Sequence, residues 1–292
     1  MDDGLWTLTK LIYIRTMQNG PIGVFDSGYG GLTVLKEIVQ QLPEYDYVYL
    51  GDNARAPYGT RSFETIYHYT LECVEQLFSM GCPLIVLACN TASARALRTI
   101  QQKNLPQIDS DKRVLGIIRP TAEVVGNYTL TKHVGVVGTS GTIASESYVL
   151  EIQKISPDIT VHQEACPMWV PLVENNEMNN EGADYFVEKH IKNLLNQSSD
   201  IDTILLGCTH YPLLLDTIRK YTPSSIKILS QGTIVANSLA DYLKRHEGLE
   251  KHLTRGGTRQ FFTTDNPESF DTHGSLFYGQ AVQSKHLELK SK

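Results

Sequence analysis

No stretch of this 292-residue sequence approaches the roughly 20 consecutive apolar residues that span a bilayer, so no membrane helix is predicted. Cysteine is sparse and unpaired: Cys73, Cys82, Cys89, Cys166 and Cys208 are odd in number and far apart, and no CxxC pair exists. That excludes a disulfide framework and a structural zinc site, and it fits free thiols in a reducing, cytoplasmic compartment. Positive charge is also short. The formal net charge is −6 and no basic stripe dominates any stretch, which argues against nucleic acid and anionic membranes as partners. The largest basic clusters, such as Lys244-Arg245, read as solvated helix faces. The first twenty residues lack the basic region and apolar core of a signal peptide. Residues 1–20 are therefore expected to be a flexible extension, with Met17 as the natural start and residues 1–16 outside the natural protein. Mass spectrometry of the protein from its native cell tests this, and an intact peptide over Leu5 to Lys10 rules it out.

What is present is the composition of a globular protein, 41% hydrophobic and 20% charged, with length enough for two ordinary α/β units. Ile22–Phe25 reads as a strand entering the loop Asp26-Ser27-Gly28-Tyr29-Gly30-Gly31. Leu32–Leu42 has helical spacing and Tyr45–Leu50 is strand-like. Phe63 to Phe78 makes a helical face closed by Gly81, Pro83–Ala88 is a strand, Ala92–Ile100 a helix and Val114–Ile118 a strand broken by Arg119-Pro120. The pattern then restarts. Val134–Val137 is a strand entering Gly138-Thr139-Ser140-Gly141-Thr142, followed by a helix over Ala144–Ile155 and a strand over Ile159–Ala165. A helix is predicted over Gly182–Leu195, a strand over Ile201–Gly207 and a helix over Tyr211–Tyr221. Ile226–Ser230 reads as a strand and Thr233–Arg245 as a helix. The tail holds one further strand and turn at Phe261–Asp265.

Strands alternating with helices predict βαβ units and mainly parallel sheets. Two segments are near-copies: Leu84-Ile85-Val86-Leu87-Ala88-Cys89-Asn90-Thr91 and Thr203-Ile204-Leu205-Leu206-Gly207-Cys208-Thr209-His210. Asp26 precedes Cys89 by 63 residues, and Thr139 precedes Cys208 by 69. The expected architecture is α/β, two similar lobes related by a pseudo-two-fold axis, with helices flanking each sheet and the site in the cleft between them. The boundaries expected are 21–115 for the first lobe, 116–229 for the second and 230–292 for a C-terminal segment returning to the first.

A thiol at the C-terminal end of a parallel strand stands where open α/β sheets place ligands. Cys89 and Cys208 both precede predicted helices, whose N-termini favour thiolate. Two chemistries fit: a Cys-His nucleophile, or a matched pair of thiol bases on opposite faces of a C–H bond. Two-sided delivery favours the second. Cys73, Cys82 and Cys166 read as small buried residues. Asp26 suits a carboxylate that orients a base or a helix cap, and His210, two residues after Cys208, suits a proton relay or a solvated helix start. The loop Gly28–Gly31 offers backbone N–H groups to an anion, but it has neither dinucleotide spacing nor the Gly-Lys-Ser/Thr of a phosphate loop. Asn90, Thr91, Thr139, Thr142 and Thr209 add neutral donors suited to a small substrate with two carboxylates. Arg55 and Arg119 are assigned surface or structural roles.

Four segments in order, Val24 to Leu32, Gly51-Asp52 to Pro57-Tyr58-Gly59, Ala88 to Ala92 and Gly207 to Pro212, closely resemble the glutamate racemases of the aspartate/glutamate racemase family. The resemblance runs from about Pro21 to Gly279. It implies a cofactor-independent proton transfer at the α-carbon of L- or D-glutamate, supplying D-glutamate for peptidoglycan and cell-wall biogenesis and shape. It also implies that Cys89 serves D-glutamate with help from Asp26. Cys208 then serves L-glutamate with help from His210, and Glu174 is a further candidate there. Substrate contacts would come from Asp26, Ser27, Tyr58, Gly59, Asn90, Thr91, Thr142, Thr209 and His210. No metal is called for, and a homodimer is the expected assembly. An aspartate racemase, a binding module for a small acid and a Cys-His hydrolase are the competing expectations.

Overall fold

Five-residue apolar runs with both faces buried are what strands of a covered parallel sheet require, and β1 (Ile22–Asp26), β2 (Tyr47–Gly51) and β7 (Thr203–Gly207) are buried at every position. The computed structural model describes residues 18–289. The expected extension over residues 1–16 and the start at Met17 lie outside the described residues.

Two sheets result. With β3 (Leu84–Leu87), β4 (Arg113–Gly116), β9 (Arg259–Thr263) and β10 (Ser284–His286), the first has the order β10-β9-β2-β1-β3-β4. With β5 (His133–Gly138), β6 (Thr160–Ala165) and β8 (Lys227–Leu229), the second has the order β6-β5-β7-β8. Every pairing is parallel. The run β2-β1-β3-β4 in one lobe matches β6-β5-β7-β8 in the other, so Cys89 follows β3 and Cys208 follows its counterpart β7. Both sheets reverse their strand order beside β1 or β5, and ligand crevices open at such switch points.

Helices cover the faces. The helix Leu32–Gln41 buries Leu32, Val34, Leu35 and Ile38, one stripe at helical spacing. The helix Gly232–Arg245 lies against it, with Thr233 Oγ1 donating to Glu37 Oε2 at 2.9 Å. No helix among the described residues is long and apolar enough to cross a membrane.

The sequence pattern and the structure part company in several places, among them the helix Trp169–Glu174 and the strand β10, neither of which was expected. The helix expected over Ala92–Ile100 begins at Asn90 and continues, through a π-turn at Ile100–Asn104, to Ile108. The strand expected to reach Ile118 ends at Gly116. Arg119 and Pro120 enter the first turn of the helix Ile118–Val124, where a missing N–H costs nothing. The helix expected from Ala144 starts only at Ser147 and runs to Ile155, because Glu146 at φ 54° parts it from a single turn at Ser140–Ile143. Tyr211–Leu214 is a 3₁₀ turn before the helix Leu215–Tyr221. The helix Pro267–Tyr278 has no counterpart in the expectations. Asn266 accepting from the N–H groups of Glu268 and Ser269, Pro267 at the first position and Gly279 at φ 77° are its start and stop signals.

Candidate active site

Both repeated cysteines open onto one cavity of about 70 Å³ between the lobes. The first lobe supplies Ser27, Pro57 to Thr60 and Cys89 to Thr91; the second supplies Thr139, Ser140, Pro167, Val170, Pro171, Glu174 and Cys208 to His210. The lobes can meet this closely because of a glycine. A Cβ on Gly30 would stand 2.3 Å from Thr209 Oγ1 and 2.4 Å from His210 Nδ1. Close approach is therefore what the loop after β1 needs glycine for. Thr33 Oγ1, one turn on, donates to the Thr209 carbonyl at 3.0 Å.

Cys89 caps the helix Asn90–Arg95. Its sulfur accepts from the Ala92 N–H at 3.4 Å and lies 3.5 Å from Ser27 Oγ. The helix terminus does not win. Burial, with Asp26 adding to it, pushes the Cys89 thiol up to about 12 against the hydrogen bonds from Ser27 and Ala92. The expectation that its position before a helix would favour thiolate is thus reversed at Cys89. Cys208 precedes only the 3₁₀ turn, and its sulfur lies 3.9 Å from His210 Nδ1. On its other edge His210 Nε2 meets Glu174 Oε1 at 3.0 Å. Burial opposes a charge on His210, but hydrogen bonds to Cys208 and Glu174 outweigh it and lift the imidazole to about 10. The Phe277 ring stands edge-on to the imidazole, centroids 5.2 Å apart.

Asp26 is buried and does not line the cavity; it lies behind the wall. Its Oδ1 accepts from the Gly28 N–H at 2.9 Å and its Oδ2 from Thr209 Oγ1 at 3.4 Å. Burial raises its pKa, against His210 and the Gly28 and Gly31 N–H groups. Thr142 is set back too. It is fully buried, with its hydroxyl accepting from Thr139 at 3.1 Å and lying 3.4 Å from that of Thr91. The Tyr58 ring lines the cavity, but its hydroxyl is spent on Asp52, which also accepts from Arg55 Nε at 2.7 Å. Ser27, Gly59, Asn90, Thr91, Thr209 and His210 do face the cavity. Arg119 is exposed and paired with Glu123 at 2.9 Å.

The sequence reading passed over Thr60, Ser140, Pro167, Val170 and Pro171 as wall residues. Thr60 and Ser140 sit one residue beyond named positions, and Pro167 stands two residues past the end of β6. The description "Asp/Glu/Hydantoin racemase" belongs to the family profile that matches residues 22–239. A glutamate racemase of Persephonella marina is 41% identical over 270 residues, covering 92% of this chain and 97% of that one. A glutamate racemase of Geobacter metallireducens is 40% identical over 88% of this chain and 92% of its own. Among solved structures, a glutamate racemase isoform of Bacillus anthracis superposes with a TM-score of 0.84 at 35% identity, over 94% of this chain and 99% of the other. A glutamate racemase of Francisella tularensis, in complex with D-glutamate, gives 0.83 at 31% identity with the same coverage.

Proposed function

The chain belongs to the Asp/Glu/hydantoin racemase family, an isomerase family, and from that premise we propose that it interconverts L- and D-glutamate with its two cysteines as the bases. The observation that carries this is the pair of thiols on one small cavity, each with its own polar partners: Ser27 and Asp26 at Cys89, His210 and Glu174 at Cys208.

In the L-to-D direction Cys208, as thiolate, takes the α-proton, and the electron pair of the broken C–H bond passes into the α-carboxylate. Cys89 donates its S–H proton to the opposite face, forming the new C–H bond. One thiol and one thiolate remain, exchanged. A Cys89 thiol held protonated by burial suits the donor's role, and a His210 imidazole lifted to about 10 suits a cation beside a thiolate. D-glutamate runs the steps backwards. The α-proton is weakly acidic, so preorganised donors in a water-poor cavity must stabilise the carbanion-like transition state. Ser27, Asn90, Thr91 and Thr209 are the groups proposed for this and for holding the two carboxylates. Asp26 and Thr142 support them from behind the wall.

The proposal calls for no cofactor. It extends to D-glutamate supply for peptidoglycan, a homodimer and a cytoplasmic location. Its test is a circular dichroism time course with L-glutamate and L-aspartate. Loss of optical activity with L-glutamate is expected, and a preference for L-aspartate changes the substrate. Cys89→Ala and Cys208→Ala should each lower racemisation at least about 10³-fold, the scale of losing a catalytic base. In deuterium oxide Cys208→Ala should exchange the α-proton of D-glutamate alone, and Cys89→Ala that of L-glutamate alone. Substantial turnover by either variant would falsify the two-base assignment.

A further inference from the structure

Behind Asn90 runs a chain of buried polar groups that the chemistry above leaves unused. Ile117 and Thr121 belong to the start of the helix Ile118–Val124, and Tyr148 to Ser147–Ile155. Gln231 stands just before Gly232–Arg245. Tyr148 and Thr121 are fully buried and Gln231 nearly so.

The Ile117 carbonyl can only accept. Gln231 Nε2 lies 3.2 Å from it, 3.0 Å from Thr121 Oγ1 and 2.7 Å from Tyr148 Oη. Thr121 gives its own proton to that carbonyl at 3.0 Å, so its oxygen accepts from Gln231. Turning the Gln231 amide over would press oxygen against oxygen. Its Oε1 must therefore face Asn90, and Asn90 must answer with Nδ2, which donates at 2.7 Å. Tyr148, accepting from Gln231, has its proton for Asn90 Oδ1, 2.5 Å away. One backbone carbonyl thus sets the polarity of every group up to the cavity wall. A buried network of this kind holds its orientation because each reversed state leaves a polar atom unpaired.

We propose that Gln231 and Tyr148 are positioning residues that lock the Asn90 amide, leaving its second N–H as a donor to a substrate carboxylate. This rests on the racemase reading, in which Asn90 faces a dicarboxylate. The lock also joins the lobes, since Asn90 follows β3 and Tyr148 follows β5.

The test is a double-variant cycle on the affinity for racemic glutamate, measured by calorimetry, with kcat and KM measured alongside. Tyr148→Phe keeps the ring and removes the donor to Asn90. It should weaken affinity on the order of 10-fold, the scale of a hydrogen bond to a charged group, and raise KM by more than it lowers kcat. In an Asn90→Ala background the same change should have no effect, since its only route to the ligand is gone. Gln231→Met supplies a second arm if Tyr148→Phe does not fold, with the same loss and the same disappearance expected. Equal losses in both backgrounds, or unchanged affinity, overturn the inference. A wild-type protein that does not racemise glutamate overturns the racemase reading and this inference with it. A wild type that racemises without the coupling overturns the inference alone.

Discussion

At Cys89 two effects compete. A helix N-terminus favours thiolate, burial favours thiol, and burial wins, because a six-residue helix supplies one N–H at 3.4 Å while the sulfur loses nearly all its water. At His210 the balance falls the other way, since Glu174 and Cys208 hold both ring nitrogens. That leads to a pH prediction. The folded pKa of about 10 lies above the unfolded value near 6.5. The stabilisation is then fully present below about pH 6.5 and is lost as pH rises through about 10. His210→Asn should be less stable than the wild type at pH 6, and the gap should narrow by pH 10. Denaturant unfolding at the two pH values checks this, and a gap that widens contradicts it. The cysteines and His210 were legible because they sit in a repeated strand-end context. Glu174 came forward only through the family resemblance, and Gln231 and Tyr148 not at all, because in Ser230-Gln231-Gly232-Thr233 and Ser145-Glu146-Ser147-Tyr148 a buried polar residue looks like any loop or helix-start residue.

Elements were legible where burial is one-sided or continuous. The strands β1, β3, β5 and β7 and the helices over Leu32, Phe63 and Glu181 follow from apolar spacing alone. What spacing could not convey was how helices begin and bend. A proline in a first turn, a left-handed Glu146 and a π-turn all depend on backbone geometry that hydrophobic periodicity does not encode. The loop after β1 is the element whose geometry matters most. Gly30→Ala would drive a Cβ into Thr209 and His210, and overpacking of this kind costs about 1–3 kcal/mol. We expect a lower thermal midpoint and a turnover loss exceeding that of Gly248→Ala, where a Cβ meets nothing within 4 Å. Equal behaviour of the two variants would show that the loop yields freely.

For the whole molecule the matched strand orders are the organising fact. They place two strand-end cysteines on opposite walls of one crevice with few specialised residues. Because the two enantiomers have equal free energies, kcat/KM must be the same for L- and D-glutamate, in the wild type and in any variant. The separate kcat and KM values carry no such constraint. Full progress curves from each enantiomer check both statements, and unequal kcat/KM would mean that a reaction other than racemisation consumes one of them.

Matched strand order also limits how even-handed the site can be. A rotation carries one lobe onto the other, and rotations preserve handedness; no arrangement of L-residues turns one lobe into the mirror image of its partner. Left- and right-handed substrates therefore meet walls that are kin but never reflections. The two thiols also have different neighbours, Asn90-Thr91 on one side and Thr209-His210 on the other. A chain built from one hand meets both hands by doubling a device, one thiol on each wall.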